Sequence, residues 1–512
     1  MTYFIARDSA ALSIGAEQTA DALTSAAPDA DIVRTGSRGL YWLEPLVEIE
    51  HAGRRVGFGP VDAGDVDDVV HAVANGTQEQ HPRFVGRIDQ LLREQGQQRL
   101  TFARCGVIAP TDFDAFVQHG GTAGLRAALA QSGQATIDAV KESGLRGRGG
   151  AGFPAGIKWQ TVHDTPGAEK FVVCNADEGD SGTFADRMLM EGDPFTLLEG
   201  MAIAGVATGA TQGYIYLRSE YPDALQTLTE AIDVAHRHGM LGSNVLGSGY
   251  GFDIEIRLGA GAYICGEETS LLESLEGKRG LIRFKPPLPA IEGFQAKPTV
   301  LNNVITLATT PTILAHGAAT YQGLGINKSC GTLTLQLAGN VARPGLYEIP
   351  FGTTLGHVIN ELGGGSASGR PVRTAQVGGP LGAYVPVQHF DTPIGYEELG
   401  EKHAMVGHGG VVVFDDSVDM AEQARFAMEF TDIESCGKCT PCRVGSVRAQ
   451  EVISEIVAGN DRESNAELLR ELMELMGQGS LCAHGGMAPA PVLSALNHFS
   501  EDFGVHAPAE VD

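Results

Sequence analysis

Three of the four cysteines in the C-terminal part of the chain lie within one short segment. Cys436, Cys439 and Cys442 form a C-x2-C-x2-C pattern in Glu-Ser-Cys-Gly-Lys-Cys-Thr-Pro-Cys-Arg, and Cys482 follows further along the chain. Three thiolates in one tight loop, with a fourth from a distance, are the ligand pattern of a [4Fe–4S] cluster. A zinc site more often has two separated C-x2-C pairs or histidine partners. The spacing therefore predicts a [4Fe–4S] cluster and a role in electron transfer.

A glycine-rich segment, Leu-Arg-Gly-Arg-Gly-Gly-Ala-Gly-Phe-Pro, contains a formal G-x-G-x-x-G at Gly147, Gly149 and Gly152. A helical pattern precedes it where a dinucleotide-binding fingerprint would have a strand, and Pro154 follows where a helix would begin. Glycines leave backbone N–H groups accessible to a ligand. Positive charge is supplied nearby by Arg146, Arg148 and Lys158. A phosphate or a flat cofactor fits this loop, and a glycine-rich surface turn is the alternative.

Acidic residues follow two predicted strands. Cys174-Asn-Ala-Asp-Glu-Gly-Asp leaves the end of one strand, and Gly259-Ala-Gly-Ala-Tyr-Ile-Cys-Gly-Glu-Glu leads from another into a helix. Ligands of α/β sheets bind at the carboxyl ends of the strands. Carboxylates there can accept hydrogen bonds from ribityl or ribose hydroxyls and from a carboxamide. The alternative for each acid is to complement the dipole of a helix N-terminus.

Length, charge and cysteine content argue against a nucleic-acid-binding, secreted or membrane-spanning protein. The chain has 512 residues and a formal net charge of -27, so we expect no nucleic-acid partner. Eight cysteines in this length do not resemble a secreted disulfide framework, and the N-terminus lacks the pattern of a signal peptide. The apolar stretch from Leu197 to Leu217 contains Glu199 and Gln212, which predicts a buried helix and strand, not a membrane span. We therefore expect a cytoplasmic protein without direct membrane insertion.

The order of predicted elements indicates a multidomain α/β protein. Residues 1–110 are predicted to form a small α/β unit, and residues 111–325 alternate helical and strand patterns, as a layered α/β domain does. Residues 326–416 predict a β-grasp-like domain. Residues 417–512 predict a four-helix bundle, with the cysteine triplet between its first two helices and Cys482 between its last two.

Six ordered motifs carry a family resemblance. They are Gly-Arg-Gly-Gly-Ala-Gly-Phe-Pro, Cys-Asn-Ala-Asp-Glu, Gly-Ala-Gly-Ala-Tyr-Ile-Cys-Gly-Glu-Glu-Thr, Lys-Pro-Pro, Asn-Asn-Val and Cys-Gly-Lys-Cys-Thr-Pro-Cys-Arg. Residues 115 to 505 resemble the flavin-bearing, NADH-oxidising subunit (51 kDa type) of respiratory complex I and its soluble relatives. The resemblance implies a Rossmann-like FMN- and NAD(H)-binding domain, an SLBB-like β-grasp domain and a helical bundle that binds the [4Fe–4S] cluster.

The resemblance also implies site residues. For FMN they are Gly147, Arg148, Gly149, Lys158, Asn175, Asp177, Tyr263, Gly266, Glu267, Asn302 and Asn303, with Gly152 in the same loop. For the nicotinamide nucleotide they are Gly150, Phe153, Glu178, Asp180, Glu268 and Lys285. The cluster ligands are Cys436, Cys439, Cys442 and Cys482. Glu178 and Glu268 are expected to act in catalysis by holding the nicotinamide against the flavin. Two residues depart from the family pattern: Thr161 stands near where the family often has an aromatic residue, and Asp180 stands where it often has Glu. Both differences concern the binding of the adenosine end of the nucleotide.

The N-terminal domain is similar to the thioredoxin-like ferredoxin domain that some relatives carry. Those domains bind a [2Fe–2S] cluster through a Cys-x-Gly-x-Cys pattern, whereas this chain has Ser37 and Tyr41 at the two places and only Cys105 elsewhere in the domain. Neither a hydroxyl nor a phenol replaces a thiolate ligand well. We therefore expect residues 1–110 to carry no cluster and to act as a docking surface.

Within this family, the runs 177–195 and 485–499 resemble most the beta subunit of NAD-dependent, molybdenum-containing formate dehydrogenases, and a cluster-free N-terminal domain fits that resemblance. The implied activity is that of a diaphorase, which exchanges a hydride between NAD(H) and FMN and single electrons between FMN and the cluster. The implied partners are a molybdenum- and iron–sulfur-containing catalytic subunit and a small [2Fe–2S] thioredoxin-like subunit. The alternatives are the diaphorase subunit of an NAD-reducing hydrogenase, the NADH-oxidising subunit of complex I, and a scaffold that keeps the cluster but lacks flavin.

Overall fold

The computed structural model describes residues 1–506, so residues 507–512 of the predicted bundle lie outside the described residues. The first sheet is mixed: Thr2–Ala6 pairs in parallel with Asp31–Thr35 and antiparallel with Val47–His51. Its strand order is Asp31–Thr35, Thr2–Ala6, Val47–His51, Arg54–Phe58 and Phe84–Arg87. The helices of this unit are Ser9–Ser13, Ala16–Ala26, Val66–Ala74 and Ile88–Glu94, with 3-10 turns at Tyr41–Leu43 and Gln78–Gln80.

The second sheet is entirely parallel. Its strand order is Asp253–Leu258, Gln212–Leu217, Phe171–Ala176 and Thr299–Asn303. Helices of this region are Phe113–Gln118, Ala123–Leu129, Gly133–Glu142, Ala155–Asp164, Ala185–Gly192, Pro194–Thr208, Pro222–Arg237, Glu268–Leu275, Pro289–Glu292, Val304–His316 and Ala318–Gln322. Short 3-10 turns lie at Val245–Gly247, Tyr263–Gly266 and Phe294–Ala296.

Side chains of the central strand alternate between two cores. Val172 and Cys174 pack into the large core with the helix Pro194–Thr208, while Phe171 and Val173 face a second cluster with Leu271 of the helix Glu268–Leu275. A parallel strand that is covered on both faces is apolar throughout for this reason. The apolar stretch from Leu197 to Leu217 is a buried helix and strand, as predicted. Among residues 1–506, none of the helices is long and apolar enough to cross a membrane.

Glu199 is the charged residue inside that buried helix. Its carboxylate accepts hydrogen bonds from the backbone N–H groups of Thr122 and Leu125, so it caps the helix Ala123–Leu129 from the side. Burial raises the pKa of this carboxyl to about 7. The carboxyl thus supplies the hydrogen-bond acceptor that a buried helix start requires.

The third sheet is mixed. Its strand order is Gly345–Pro350, Thr332–Gly339, Gly410–Asp415, Val372–Val377 and Ala383–Pro386. A two-stranded hairpin, Gly325–Ile326 with Ser329–Cys330, precedes it. Its helical segments are Leu355–His357, a π-helical turn Val358–Leu362, a 3-10 turn Val387–His389 and Tyr396–Gly400.

The C-terminal region is helical. Its helices are Met420–Glu434, Thr440–Val457, Arg462–Gly479, Ala483–Met487, Pro489–His498 and Ser500–Phe503. They bury one apolar core that includes Met428, Ile453, Met473 and Leu496. This core also takes in Tyr384 from the third sheet, so the helices pack against that sheet.

The segment after the first unit belongs to the core of the second. Phe102, Cys105 and Ile108 are buried among the residues of the large core. The backbone N–H groups of Thr101 and Phe102 donate to the buried carboxylate of Glu348 in the third sheet. The proposed boundary at 110/111 remains a prediction, but packing with the second unit begins before it.

Ser37 and Tyr41 lie where a [2Fe–2S] cluster would need thiolates. The Ser37 hydroxyl is buried and donates to Glu44 Oε1 at 2.8 Å, and the ring of Tyr41 packs on Phe184 with centroids 4.8 Å apart. Burial raises the pKa of Glu44 to about 8. Polar and aromatic side chains thus occupy the position at which relatives bind a [2Fe–2S] cluster.

We predict that the full chain binds about four irons, the content of a single [4Fe–4S] cluster. The physical reason is that Ser37 and Tyr41 offer no thiolate. Iron and acid-labile sulfide should be quantified on anaerobically reconstituted protein, with Cys482→Ser as the control that lowers both. A content of about six irons, with a two-iron signal in electron paramagnetic resonance, would contradict the expectation.

Candidate functional site

The predicted loops converge at one edge of the parallel sheet. Asn175 is in register with Tyr216 on one side and with Asn303 on the other, and Leu217 is in register with Leu258. The acidic segment after Ala176 and the segment after Leu258 therefore leave the same edge. This is the carboxyl edge, where ligands of parallel sheets bind.

The glycine loop is a tight reversal that presents its main chain. The N–H of Gly147 donates to the Phe153 carbonyl at 2.8 Å. Gly150 has φ of 113°, and a Cβ added there would meet no atom within 4 Å. A Cβ on Gly149 would lie 2.9 Å from Cβ of Asn303, and one on Gly152 would lie 2.6 Å from the Tyr396 ring. The loop thus has an open face at Gly150 and a packed face behind it.

The side chain of Arg148 points away from that open face. The residue is 3% exposed. Its guanidinium donates to the Tyr321 hydroxyl at 2.7 Å, to the Cys330 carbonyl at 3.0 Å and to the Tyr396 hydroxyl at 3.1 Å. Its backbone N–H donates to Thr306 Oγ1 at 2.8 Å. In this structure the Arg148 guanidinium is bonded to protein groups and holds the loop in place, and its predicted contact with FMN stays a prediction.

Asn175 and Asp177 lie at the end of the central strand. Asn175 Nδ2 donates to the Gly266 carbonyl at 2.8 Å, and its Oδ1 accepts from the Asp177 N–H at 3.1 Å. Asp177 Oδ2 is buried and has no hydrogen-bond partner. Burial raises the pKa of this carboxyl to about 7. A buried oxygen without a partner fits a hydroxyl donor from a ligand, such as a ribityl group.

Glu267 and Glu268 begin a helix at the same edge. Glu267 Oε2 accepts from the backbone N–H groups of Thr269 and Ser270, so this oxygen is a helix cap. Glu268 lies between Lys285, at 2.8 Å, and Lys158, at 3.4 Å. Burial opposes ionisation of Glu268, but the two lysines outweigh it and hold its pKa below the usual range. Lys285 also contacts Glu267 at 3.1 Å.

Glu178 is directed inward from the acidic loop. It is 4% exposed, and its carboxylate accepts from the N–H groups of Asp186 and Arg187, each at 3.1 Å. Tyr221 donates to Oε2 at 3.1 Å, and His408 Nε2 lies 3.0 Å from Oε1. All of its contacts are donors, and the pKa of Glu178 is lowered, because they outweigh burial. The side chain thus faces the layer beneath the site rather than the open edge.

Tyr263 connects this edge with the C-terminal helices. Its hydroxyl donates to Asp180 Oδ1 at 2.7 Å, and its N–H donates to Glu434 at 3.0 Å. Its ring packs edge-on against Phe430, with centroids 4.9 Å apart, and lies 5.8 Å from the ring of His484. Asp180 is therefore held on the side of the site nearest the cysteines.

Of the remaining predicted residues, some are hydrogen-bonded to other protein groups and one is exposed to solvent. Asn302 Oδ1 accepts from Trp159 Nε1 at 2.8 Å, and Asn303 Nδ2 donates to Asp186 at 2.7 Å. Phe153 is 51% exposed, and Thr161 Oγ1 donates to the Ile157 carbonyl of its own helix. Phe153 is thus the large apolar side chain that the loop offers to a ligand.

The four cysteines lie where the helical bundle touches the turn Tyr263–Gly266. Cys439 is the N-cap of the helix Thr440–Val457, and Cys482 is the N-cap of Ala483–Met487. A Cβ added at Gly485 would lie 2.7 Å from Cβ of Cys442. Cys436 and Cys482 both pack against the cluster of apolar residues that includes Ile264. Cys482 is distant from the other three cysteines in sequence, and the fold brings it to them.

The environment of the four thiols fits a cluster. Burial raises the pKa of the Cys482 thiol to about 11. Iron ions are the charges that would hold such thiols ionised, and helix N-termini face the resulting anion.

Two groups of residues in the site were missed by sequence reasoning. Tyr321 and Tyr396 hold the Arg148 guanidinium, and His408 with Asp186 joins Glu178 in one buried group. The segments are distant in sequence, and no spacing signals them. The run Gly-His-Gly-Gly at 407–410 is the one local signal, since Gly407 forms an isolated bridge with Gly150 of the glycine loop.

Comparisons with known proteins agree with this geometry. The family model for the Nuo51 FMN-binding domain matches residues 140–312, the model for the NADH-ubiquinone oxidoreductase-F iron–sulfur binding region matches 422–506, and the SLBB domain model matches 334–383. The chain is 44% identical over 413 residues to NADP-reducing hydrogenase subunit HndC of Solidesulfovibrio fructosivorans, covering 81% of this chain and 84% of that protein. The chain belongs to the family of flavin-binding, NADH-oxidising subunits of the 51 kDa type.

Two further relatives support the same family. One subunit of an NADH-quinone oxidoreductase of Rhizobium meliloti (strain 1021) is 45% identical over 388 residues, which cover 76% of this chain and 92% of that protein. The crystal structure of an NAD+-reducing [NiFe]-hydrogenase in the H2-reduced state is similar with a TM-score of 0.70 at 31% identity, covering 98% of this chain and 83% of that chain. The resemblance carried by the motifs is thereby confirmed.

The family fixes the cofactors: FMN, a [4Fe–4S] cluster and NAD(H). The residues at the site fit them, because Asp177 Oδ2 is a buried acceptor without a partner and the loop is open above Gly150. The chain is thus an electron-transfer subunit of the NADH/FMN and [4Fe–4S] type. Its relatives are subunits of larger redox complexes.

We predict that Asp177→Asn weakens FMN binding while the fold is kept. Above the pKa of about 7, for example at pH 8, the variant replaces a carboxylate that accepts from a ribityl hydroxyl by a neutral amide. A hydrogen bond to a charged group contributes about 1.5–3 kcal/mol, or roughly 10- to 150-fold in affinity. Binding should be measured by quenching of flavin fluorescence on titration of deflavinated protein. Asp164→Asn, an exposed carboxylate of the same domain, is the matched control. Equal affinities in the two variants would contradict the assignment.

Proposed function

We propose that the chain is the diaphorase subunit of an NAD-dependent formate dehydrogenase, in which formate and NAD+ yield CO2 and NADH. FMN, when bound, exchanges a hydride with the nicotinamide and single electrons with the cluster. The chain's own residues hold the two rings together and exclude other acceptors. The supporting observation is that the glycine loop, Asp177 and Glu268 meet at one sheet edge, and that the turn Tyr263–Gly266 leads from this edge to the cysteines.

The flavin is proposed to lie on the main chain of the glycine loop. Gly147, Gly149 and Gly152 make the loop narrow, and the main chain around Gly150 can approach a flat ring because no side chain stands there. Asn175 positions the Gly266 carbonyl, and Asp177 accepts from the ribityl chain. Support for the loop and the strand end is proposed for Arg148, Asn302 and Asn303, since their side-chain polar atoms bind protein groups and not the cofactor.

The nicotinamide nucleotide is proposed to stack on the outer face of the flavin. Phe153 lies exposed beside the open face and can pack against a base or a ring. Glu268 is ionised between Lys158 and Lys285, so its carboxylate can accept from ribose hydroxyls or a carboxamide at neutral pH. Hydride transfer needs no acid or base, and rate depends on how firmly the two rings are held. Asp180, tied to Tyr263, extends the acidic side of the site.

The four cysteines are proposed to bind the cluster and receive electrons one at a time. Cys436, Cys439, Cys442 and Cys482 surround the end of the bundle that touches Ile264 and Cys265. The turn containing these two residues immediately precedes Glu267 and Glu268. Flavin and cluster are thus separated by one turn and its packed side chains.

We predict that Cys439→Ser removes the cluster and leaves the flavin bound. The two sites use different residues, so NADH should still reduce FMN and an artificial two-electron acceptor at near-normal rate, while electron transfer to partner subunits should be lost. Both activities should be measured on the holo-complex, with Cys330→Ser as a matched thiol-to-hydroxyl control outside the cluster. Normal formate-driven NAD+ reduction in the Cys439 variant would show that the cluster is not on the path.

The formate dehydrogenase assembly is supported by two sequence runs and by the N-terminal domain. The runs that resemble formate dehydrogenase beta subunits are 177–195 and 485–499, and the N-terminal domain lacks the ligands of a [2Fe–2S] cluster. A second candidate is the diaphorase of an NAD-reducing hydrogenase, because the hydrogenase structure covers 98% of this chain, including its first unit. Both candidates use the same flavin site.

We predict that native purification of the tagged chain recovers a molybdenum-containing subunit and a small [2Fe–2S] subunit. Metal analysis and mass spectrometry of the purified complex decide between the candidates, since nickel would identify a hydrogenase partner. Formate-dependent reduction of NAD+ by the same preparation should accompany molybdenum. Nickel without molybdenum, together with hydrogen-dependent reduction, would overturn the formate dehydrogenase proposal and leave the diaphorase proposal standing.

A further inference from the structure

A buried histidine of the third sheet reaches under the proposed flavin site. His408 precedes the strand Gly410–Asp415 and is 7% exposed. Its Nδ1 lies 2.6 Å from the carbonyl oxygen of Arg148 in the glycine loop. Its Nε2 lies 3.0 Å from Glu178 Oε1 and 3.3 Å from Asp186 Oδ1. One imidazole therefore joins three segments that are distant in sequence.

The hydrogen-bond partners determine the protonation of this ring. A peptide carbonyl only accepts, so Nδ1 must carry a proton to bond with Arg148. Nε2 faces two carboxylates. Glu178 already accepts from the N–H groups of Asp186 and Arg187 and from the Tyr221 hydroxyl, and so is ionised. Nε2 must then donate as well, and the ring is an imidazolium.

Asp186 completes the charge balance. Its Oδ2 accepts from Asn303 Nδ2 at 2.7 Å, while Oδ1 has no hydrogen-bond partner apart from its approach to Nε2. The buried group thus consists of two carboxylates and one cation. The neutral amide of Gln336 donates to the His408 carbonyl at 2.9 Å and fixes the segment from the other side. Asp180 is the further ionisable group whose charge interacts with the ring.

We propose that His408 is a positioning residue whose imidazolium ties the glycine loop to Glu178 and Asp186 and raises the reduction potential of the flavin above them. This inference rests on the proposed placement of FMN on the glycine loop. Reduction adds electrons to the flavin, which the two buried carboxylates oppose, and the imidazolium offsets one of these two negative charges; solvent screens buried charges little, so the potential is higher with the imidazolium than without it. The Arg148 guanidinium is directed away to Tyr321 and Tyr396, and Lys158 and Lys285 are paired with Glu268. His408 is thus the cation that balances Glu178 and Asp186.

The charge of the ring can be tested without catalysis. Protein labelled with 15N in its histidine rings should give, for His408, two nitrogen resonances typical of an imidazolium, unchanged between mildly acidic and mildly alkaline pH. The His408 resonances are those missing from the spectrum of His408→Gln, or, if that variant does not fold, those that move in Asp186→Asn. A neutral tautomer at mildly alkaline pH would overturn the proposal whatever the flavin does.

Flavin potentials supply the second test, by spectroelectrochemistry on the flavin-loaded chain. His408→Gln removes a positive charge but keeps a donor, so the FMN midpoint potential should shift downward. Asp186→Asn removes a negative charge with little change of shape, so the potential should shift upward. Shifts in the same direction, or none in either variant, would overturn the proposal. Flavin content is measured separately, after the flavin is released from the protein. A wild-type chain that holds no flavin would instead refute the proposed flavin site.

Discussion

A guanidinium without access to solvent fixes the geometry on which the proposed flavin site depends. Arg148 is buried, and a buried charge is tolerated only where hydrogen bonds replace its hydration. Its partners are Tyr321, from the second unit, and Tyr396, from the helix Tyr396–Gly400 of the third unit, together with the Cys330 carbonyl. The glycine loop can therefore adopt its narrow shape only when both domains are packed together. The loop's open face is a product of the domain interface.

Functional residues can be predicted from the sequence where they lie close together along the chain, and they are missed where they come from distant segments. The cysteine triplet, the glycine loop and the acidic strand ends each combine a residue type with a short spacing, and the helix Pro194–Thr208 is visible as an apolar run. His408 and Asp186 join Glu178 only through tertiary packing, so no period or spacing points to them. A motif indicates the course of the main chain better than it indicates the direction of a side chain. For this reason the motifs predict ligand contacts for Arg148 and Glu178, whereas both side chains point inward in the structure.

The two proposed redox sites share a boundary. The turn Tyr263–Gly266 contributes Ile264 and Cys265 to the apolar cluster against which Cys436 and Cys482 pack. On its other side the same turn leads into Glu267 and Glu268 at the sheet edge. Tyr263 adds a polar connection, from Asp180 to Glu434 of the bundle. A shift of the bundle would therefore be transmitted to the nucleotide side of the flavin site.

The carboxylate of Glu348 has a consequence for how the chain melts. It lies in the third sheet and binds the backbone of Thr101 and Phe102, while Phe102 is buried in the core of the second unit. Opening the second unit alone would remove the two backbone donors of this buried acid and leave it only the Thr332 hydroxyl, and opening the third alone would leave the Thr101 and Phe102 N–H groups without their acceptor. Either change costs free energy. The two domains should consequently unfold as one cooperative unit. The first unit has a core of its own, with Ile5, Val47 and Phe58, and can lose its structure in a separate transition.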